Sequence, residues 1–289
     1  MPPTAPWQAA VELAAPARPT VPAAKRKVLV FARFTGYDHK VIPHVNRVFE
    51  ILGTKSGAFD ATVSVDLEAL TPESLKAYDV LVLNNNCSKG PRRNLFLDIL
   101  ESDAKYQGLT AAQREAKAKV LEQSLLDFVA GGKGIVAIHG APTILNNSAK
   151  FTEMMGGAFY YHPPNQEVTV HTVAPRHPLV AAFQGQEPFI HRDEPYCFNG
   201  PYEKLDFHPL LSIDTQGLRD PKGEVGKMVR YVAWIKRYGK GRVFYFSLSH
   251  FPESYTSPTL LRFLLYGTQY ASGDLKCDDS PLRQQGSHT

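Results

Sequence analysis

The run Gly131-Gly132-Lys133-Gly134-Ile135-Val136-Ala137-Ile138-His139-Gly140-Ala141-Pro142 constrains the fold of this chain more than any other stretch. A glycine-rich helix stop leads into an apolar segment too short for a helix, which breaks off on a histidine, a glycine and a proline. An unbroken apolar run of this kind fits a parallel strand covered on both faces. In open α/β sheets the carboxyl ends of such strands form the rim where ligands sit. His139 is the residue towards which other polar tips should converge.

The same design recurs. Val28-Leu29-Val30-Phe31-Ala32 opens into the polar, aromatic loop Arg33 to Lys40, which carries Tyr37 and His39, and Asp79-Val80-Leu81-Val82-Leu83 ends in Asn84-Asn85-Asn86-Cys87. Gly241-Arg242-Val243-Phe244-Tyr245-Phe246-Ser247-Leu248 ends in Ser249-His250. Between these strands lie amphipathic stretches. Val41, Val45, Val48, Phe49 and Leu52 recur at helical spacing, with Pro43 and His44 in the first turn, and residues 111–130 carry Val120, Leu121, Leu125, Phe128 and Val129 on one stripe, with Gly131 and Gly132 suiting a left-handed cap. A weaker strand is expected near residues 61–65, short helices after Thr71 and before Gly156, and a closing helix from Pro258 with Leu260, Leu261, Leu264 and Leu265 on the sheet.

Residues 88–110 leave this alternation, and their apolar patch Leu95, Phe96, Ile99, Leu100 predicts an inserted helix that is also the place to look for a homo-oligomer contact. The second half changes period: Val168 to Val173 alternates at two, as do parts of 187–197 and 228–236, which predicts antiparallel pairing. The fold class is α/β, a flavodoxin-like, doubly wound, mostly parallel sheet with an elaborated, β-rich second half. The expected organisation is a Pro/Ala-rich, extended N-terminal arm (residues 1–26), a single α/β domain (27–275) and a polar C-terminal tail (276–289).

Composition removes several function classes. The three cysteines, Cys87, Cys197 and Cys277, have no CxxC spacing, so neither a disulfide framework nor a thiolate zinc site is implied. The net charge of +4 is scattered, which argues against a nucleic-acid partner, and no apolar stretch reaches the ~18 residues that would cross a bilayer. Residues 1–24 lack the basic start and continuous apolar core of a secretory signal. A cytoplasmic setting is expected, with export left open if a leader has been trimmed. No GxSxG, GxGxxG or GxxxxGK follows a strand.

Four strand ends carrying His39, Asn84 to Asn86, His139 and His250 should meet at one rim. The segment His191-Arg192-Asp193-Glu194-Pro195-Tyr196 adds an acid pair, and strand alternation places Arg192, Glu194 and Tyr196 on one face, His191 and Asp193 on the other. Pro195 marks a strand end or edge. Gly156 to Pro164 adds Tyr160, Tyr161 and His162, whose rings suit a sugar's apolar faces and hydroxyl edges or a packed corner.

Taken in order, the loop from Phe34 to His44, the run ending at His139, Gly157-Ala158-Phe159 with His162-Pro163, Asp193-Glu194-Pro195-Tyr196 and Gly241-Arg242-Val243-Phe244-Tyr245 leading to Ser249-His250 resemble the ThuA-like proteins, the trehalose-utilisation family, over residues 27–273. The resemblance implies a fold similar to that of class I glutamine amidotransferases. It implies sugar catabolism, with disaccharides and their 3-keto derivatives as substrates. Those amidotransferases place a cysteine at the elbow where this chain has His139, so glutaminase chemistry is not expected. Ser249 stands where the family pattern would have a glycine.

The expected activity is that of a sugar-catabolic enzyme, a hydrolase, lyase or isomerase, working by histidine and carboxylate acid-base chemistry on a small-molecule sugar or keto-sugar. His139, Asp193 and Glu194 are the catalytic candidates. Arg33, Tyr37, His44, Asn85, Tyr161, His162 and Tyr196 are the substrate-binding candidates. His39, His139 and His250 would suit a divalent metal such as zinc, although no local ligand spacing calls for one. The competing expectation is a non-catalytic sugar-binding or scaffolding protein on an amidotransferase-like fold.

Overall fold

The computed structural model describes residues 2–22 and 24–282; residues 283–289 of the C-terminal tail lie outside the described residues. The strands are β1 (Arg26–Phe31), β2 (Phe59–Ser64), β3 (Val80–Asn84), β4 (Gly134–Ile138), β5 (Ala158–Tyr161), β6 (Gln166–Thr172), β7 (Phe189–Asp193), β8 (Cys197–Asn199), β9 (His208–Ile213), β10 (Tyr231–Tyr238) and β11 (Gly241–Phe246). The helices are α1 (Ala5–Ala14), α2 (Ile42–Ser56), α3 (Pro72–Leu75), α4 (Leu95–Ser102), α5 (Ala111–Ala130), α6 (Ala149–Met155), α7 (Val225–Met228) and α8 (Pro258–Ala271). Nine strands form one sheet in the order β2-β1-β3-β4-β11-β10-β9-β6-β7.

The first five strands of that order are parallel, with Val82 opposite Val136 and Val136 opposite Phe244. From β11 onward every pairing is antiparallel. This is the doubly wound, flavodoxin-like half followed by the β-rich extension. Period-two alternation divides the core: Val28, Val30, Val82, Val136, Ile138, Phe244 and Phe246 face α2 and α8, while Leu29, Phe31, Leu81, Ile135, Ala137, Val243 and Tyr245 face the side of α4, α5 and α6. Burial on both faces explains why these strands read as continuous apolar runs.

Three expectations need correction. The N-terminal arm is not extended throughout, because Thr4 caps α1 by accepting from Trp7 N–H, Pro6 sits in the first turn, and the alanine-rich body favours a helix. The Trp7 indole donates to Pro252 O at 2.9 Å and meets the His44 ring edge-on at 4.7 Å. On α5, Val120 is 52% exposed, since the buried stripe runs through Ala118, Leu121, Leu125 and Phe128. At its end, Gly131 stays right-handed at φ −73° and Gly132 takes the positive φ of 119°.

Helix α8 lies so close to β11 that a Cβ at Gly267 would stand 2.3 Å from the Phe244 ring. Alanine at this position gains about 1 kcal/mol of helix propensity, but overpacking a buried ring costs about 1–3 kcal/mol. Gly267→Ala is expected to lower stability by up to about 2 kcal/mol in urea denaturation. Adding Phe244→Leu should recover part of that loss.

Candidate active site

The polar tips do converge. His139 follows β4 with a left-handed φ of 45°, the sharp turn that lifts a side chain out of a parallel strand at its carboxyl end. Three contacts from β11 and the residue after it hold this elbow. The His139 N–H donates to Phe246 O at 2.8 Å, the Tyr245 hydroxyl donates to His139 O at 3.0 Å, and the imidazole Nδ1–H donates to Ser247 O at 2.7 Å. A carbonyl can only accept, so Nδ1 carries the proton and Nε2 presents its lone pair to the cluster. Gly140 permits the packing behind it, because a Cβ there would lie 2.7 Å from Cys87 Sγ and 3.0 Å from His39 Cε1.

His39, His139 and His250 form a triangle of rings with centroids 4.9–5.1 Å apart, and each offers one nitrogen within 4.8 Å of the others. The His139 Nε2 to His250 Nδ1 separation is 3.0 Å. Glu194 Oε2 reaches His250 Nδ1 at 3.2 Å, His139 Nε2 at 3.6 Å and His162 Nδ1 at 3.7 Å. Strand β7 ends at Asp193, and this break in alternation lets two consecutive carboxylates face the same cluster. Asp193 is fully buried and accepts from the backbone N–H of Glu194 at 2.8 Å and of His250 at 3.1 Å, with His191 Nε2 3.5 Å away. Its carboxylate thus fixes the two loops that carry Glu194 and His250.

Burial drives the His39 pKa down to about 2, and the neighbouring His139 and His250 rings push the same way. For Glu194, burial alone favours the protonated acid, but the close His139 and His250 imidazoles, with His162 beyond them, outweigh it and hold the carboxyl below its ordinary range. Burial raises the Cys87 thiol to about 11, so it is no nucleophile at neutral pH. Burial also keeps the Tyr196 phenol protonated.

A cavity of about 210 Å³ opens on this cluster, lined by Tyr37, His39, Cys87, Arg93, Thr143, Phe159, His162, Glu194 and Tyr196. Tyr37 is 64% exposed at its mouth, and His162 stacks on Tyr196 at 5.3 Å. His139, Asp193 and His250 lie off its wall, as do four of the substrate-binding candidates. Arg33 pairs with Asp103 at 3.1 Å, His44 packs on Trp7, Asn85 is buried with its amide donating to Asn84 Oδ1, and Tyr161 sits under Lys222 Nζ at 4.3 Å. Asn84 at the end of β3 donates to Ile42 O, and Asn86 just beyond it donates to Phe31 O and Arg33 O, which ties the end of β1 and the start of α2 to this strand end. Arg93, Thr143 and Phe159 were not singled out from sequence. Phe159 lay inside the Gly156 to Pro164 aromatic segment, but Arg93 and Thr143 carry no local signal.

The ThuA profile, described as trehalose utilisation, matches residues 27–271. The chain belongs to the ThuA family. Membership gives it a carbohydrate-related role. Its fold is similar to that of a ThuA-like protein from Bacteroides uniformis (19% identity, TM-score 0.61, covering 89% of this chain and 93% of that one). A ThuA-like protein from Parabacteroides merdae is also similar (15%, TM-score 0.58, 90% and 98%), as is a cytoplasmic protein of Salmonella typhimurium (13%, TM-score 0.56, 85% and 98%). At these identities the ThuA likeness is one of fold. No functionally curated protein matches. Among the described residues, no helix is long and apolar enough to cross a membrane.

The His39 environment predicts an acid sensitivity in metal-free protein. An unfolded chain protonates His39 near the usual 6.5 and the folded chain only near 2, so between these values the unfolded state holds more protons and stability falls with falling pH. Between pH 6.5 and 5 the loss is about 2 kcal/mol. Urea midpoints measured across this range should drop, and His39→Asn should flatten the dependence.

Proposed function

We propose that this ThuA protein is a sugar-catabolic enzyme acting on a disaccharide or 3-keto-glycoside by histidine and carboxylate acid-base chemistry, with a divalent metal held by His39, His139 and His250. The observation that carries this reading is the set of three imidazoles, two buried and one half-buried, whose ligand nitrogens lie within 4.8 Å of one another, beside an ionised carboxylate at a cavity.

The donor set fits zinc or a similar ion. Tetrahedral zinc with ~2.0–2.1 Å bonds spaces neighbouring nitrogens by about 3.3 Å, and His139 Nε2 and His250 Nδ1 are 3.0 Å apart. The Nδ1–H of His139 on Ser247 O is the outer hydrogen bond that orients a ligating imidazole. The depressed His39 pKa keeps that ring neutral, as ligation requires. An ion bound there polarises a carbonyl or hydroxyl oxygen.

The side chains divide the remaining work. A keto group acidifies the proton on the adjacent carbon, and Glu194, ionised and facing the cavity, is placed to accept it. His162, half-buried and stacked on Tyr196, is the imidazole best exposed for returning a proton to a leaving glycosyl oxygen. Asp193 has no face on the cavity wall and serves by holding Glu194 and His250. Tyr37 and Phe159 offer ring faces to the sugar.

Protein purified without a histidine tag should contain close to one divalent ion per chain, and His139→Ala should abolish it. Turnover of trehalose, other disaccharides and their 3-keto forms is the activity to screen, with Glu194→Gln expected to reduce it about 10²–10⁴-fold. Less than a tenth of an equivalent of metal, together with activity unaffected by chelator, refutes the metal. If His139→Ala and Glu194→Ala weaken sugar binding yet leave turnover unchanged, the protein is a binding module and not an enzyme.

A further inference from the structure

Arg93 lies on the cavity wall just ahead of α4 and has no role in the chemistry above. Its backbone takes a left-handed φ of 50°, a conformation that costs a residue with a Cβ and that persists only where surrounding structure enforces it. The neighbouring Arg92 spends its guanidinium on Asp98 and Glu101. Arg93 makes no ion pair among the described residues; it donates from Nη1 to Ser88 O at 3.0 Å, which fixes the plane of the fork and leaves its other donors available. Its charge also reaches the thiol of Cys87, another residue of the cavity wall.

The cavity limits what can meet this fork. At about 210 Å³ the cavity has room for a sugar ring. Charge limits it further. With a divalent ion on the three histidines, the formal charges of Asp193 and Glu194 balance the ion, and the positive charge of Arg93 is left over.

Resting on the metal-bearing sugar site argued above, we infer that Arg93 is its specificity-determining residue: the cavity takes a sugar bearing a carboxylate, which the Arg93 guanidinium binds through paired N–H···O bonds. A planar fork matches a carboxylate in two parallel hydrogen bonds, and a neutral hydroxymethyl group cannot make that pair. Tyr37, exposed at the mouth, is then left to contact whatever is joined to the ring.

The test is calorimetric binding of D-glucuronate and D-glucose to the full, zinc-loaded chain. Wild type should bind glucuronate at least 10-fold more tightly than glucose. Arg93→Gly, which suits the positive φ and should fold without strain, is expected to bring the two affinities within about 2-fold, and Arg93→Lys to keep only part of the preference. Equal affinities in wild type, a preference that survives Arg93→Gly, or no saturable binding of either sugar overturns the inference. Zinc content is read on the same samples. One ion per chain in both samples, together with equal affinities in wild type or a preference that survives Arg93→Gly, is a failure of the Arg93 assignment alone, whereas absence of zinc from wild type is a failure of the metal site itself.

Discussion

The hydrogen bond from His139 Nδ1–H to the carbonyl of Ser247, 2.7 Å long and sealed from water, joins the ends of two adjacent parallel strands. It sets the tautomer of the central imidazole and the position of the loop that leads to His250. Losing it would leave a buried carbonyl and a buried N–H without partners, which is why the elbow and the β11 terminus behave as one unit. The geometry of the cluster, from Glu194 to His39, is measured from that pair.

Around it the molecule separates shape from chemistry. The parallel half of the sheet supplies rigid strand ends, and the antiparallel half supplies the segment that brings two carboxylates to face them. Asp193 sits at the seam. It is buried, touches two backbone N–H groups from different loops and does not line the cavity, so its charge stabilises position while Glu194 faces the cavity.

Much of the frame could be read from residues alone. Runs such as Val80 to Leu83 and Ile135 to Ile138 are apolar on every position because both faces are covered, and that pattern has few alternatives. The convergence of His39, His139 and His250 followed from parallel topology. What escaped was set by contacts distant in sequence: Arg93 reaches the cavity through a left-handed turn that no periodicity announces, and His44, in a promising loop, is claimed by Trp7 from the chain's start. Asn85 sits at a strand end as expected, yet its side chain is absorbed by its neighbour Asn84, a choice made by local hydrogen bonding. Val120 misled because one residue of helix turns a side chain by about 100°.

The Trp7 indole bonded to the carbonyl of Pro252 spans 245 positions of sequence, and Pro252 lies two residues beyond His250. During synthesis α1 leaves the ribosome long before the turn it must brace exists. The loop bearing the third histidine therefore receives this support only after the 245 positions between Trp7 and Pro252 have been made, and His139 must wait 111 residues for the ring it faces. Such non-local closure favours slow folding, and a fragment ending before His250 would lack the third ring of the cluster.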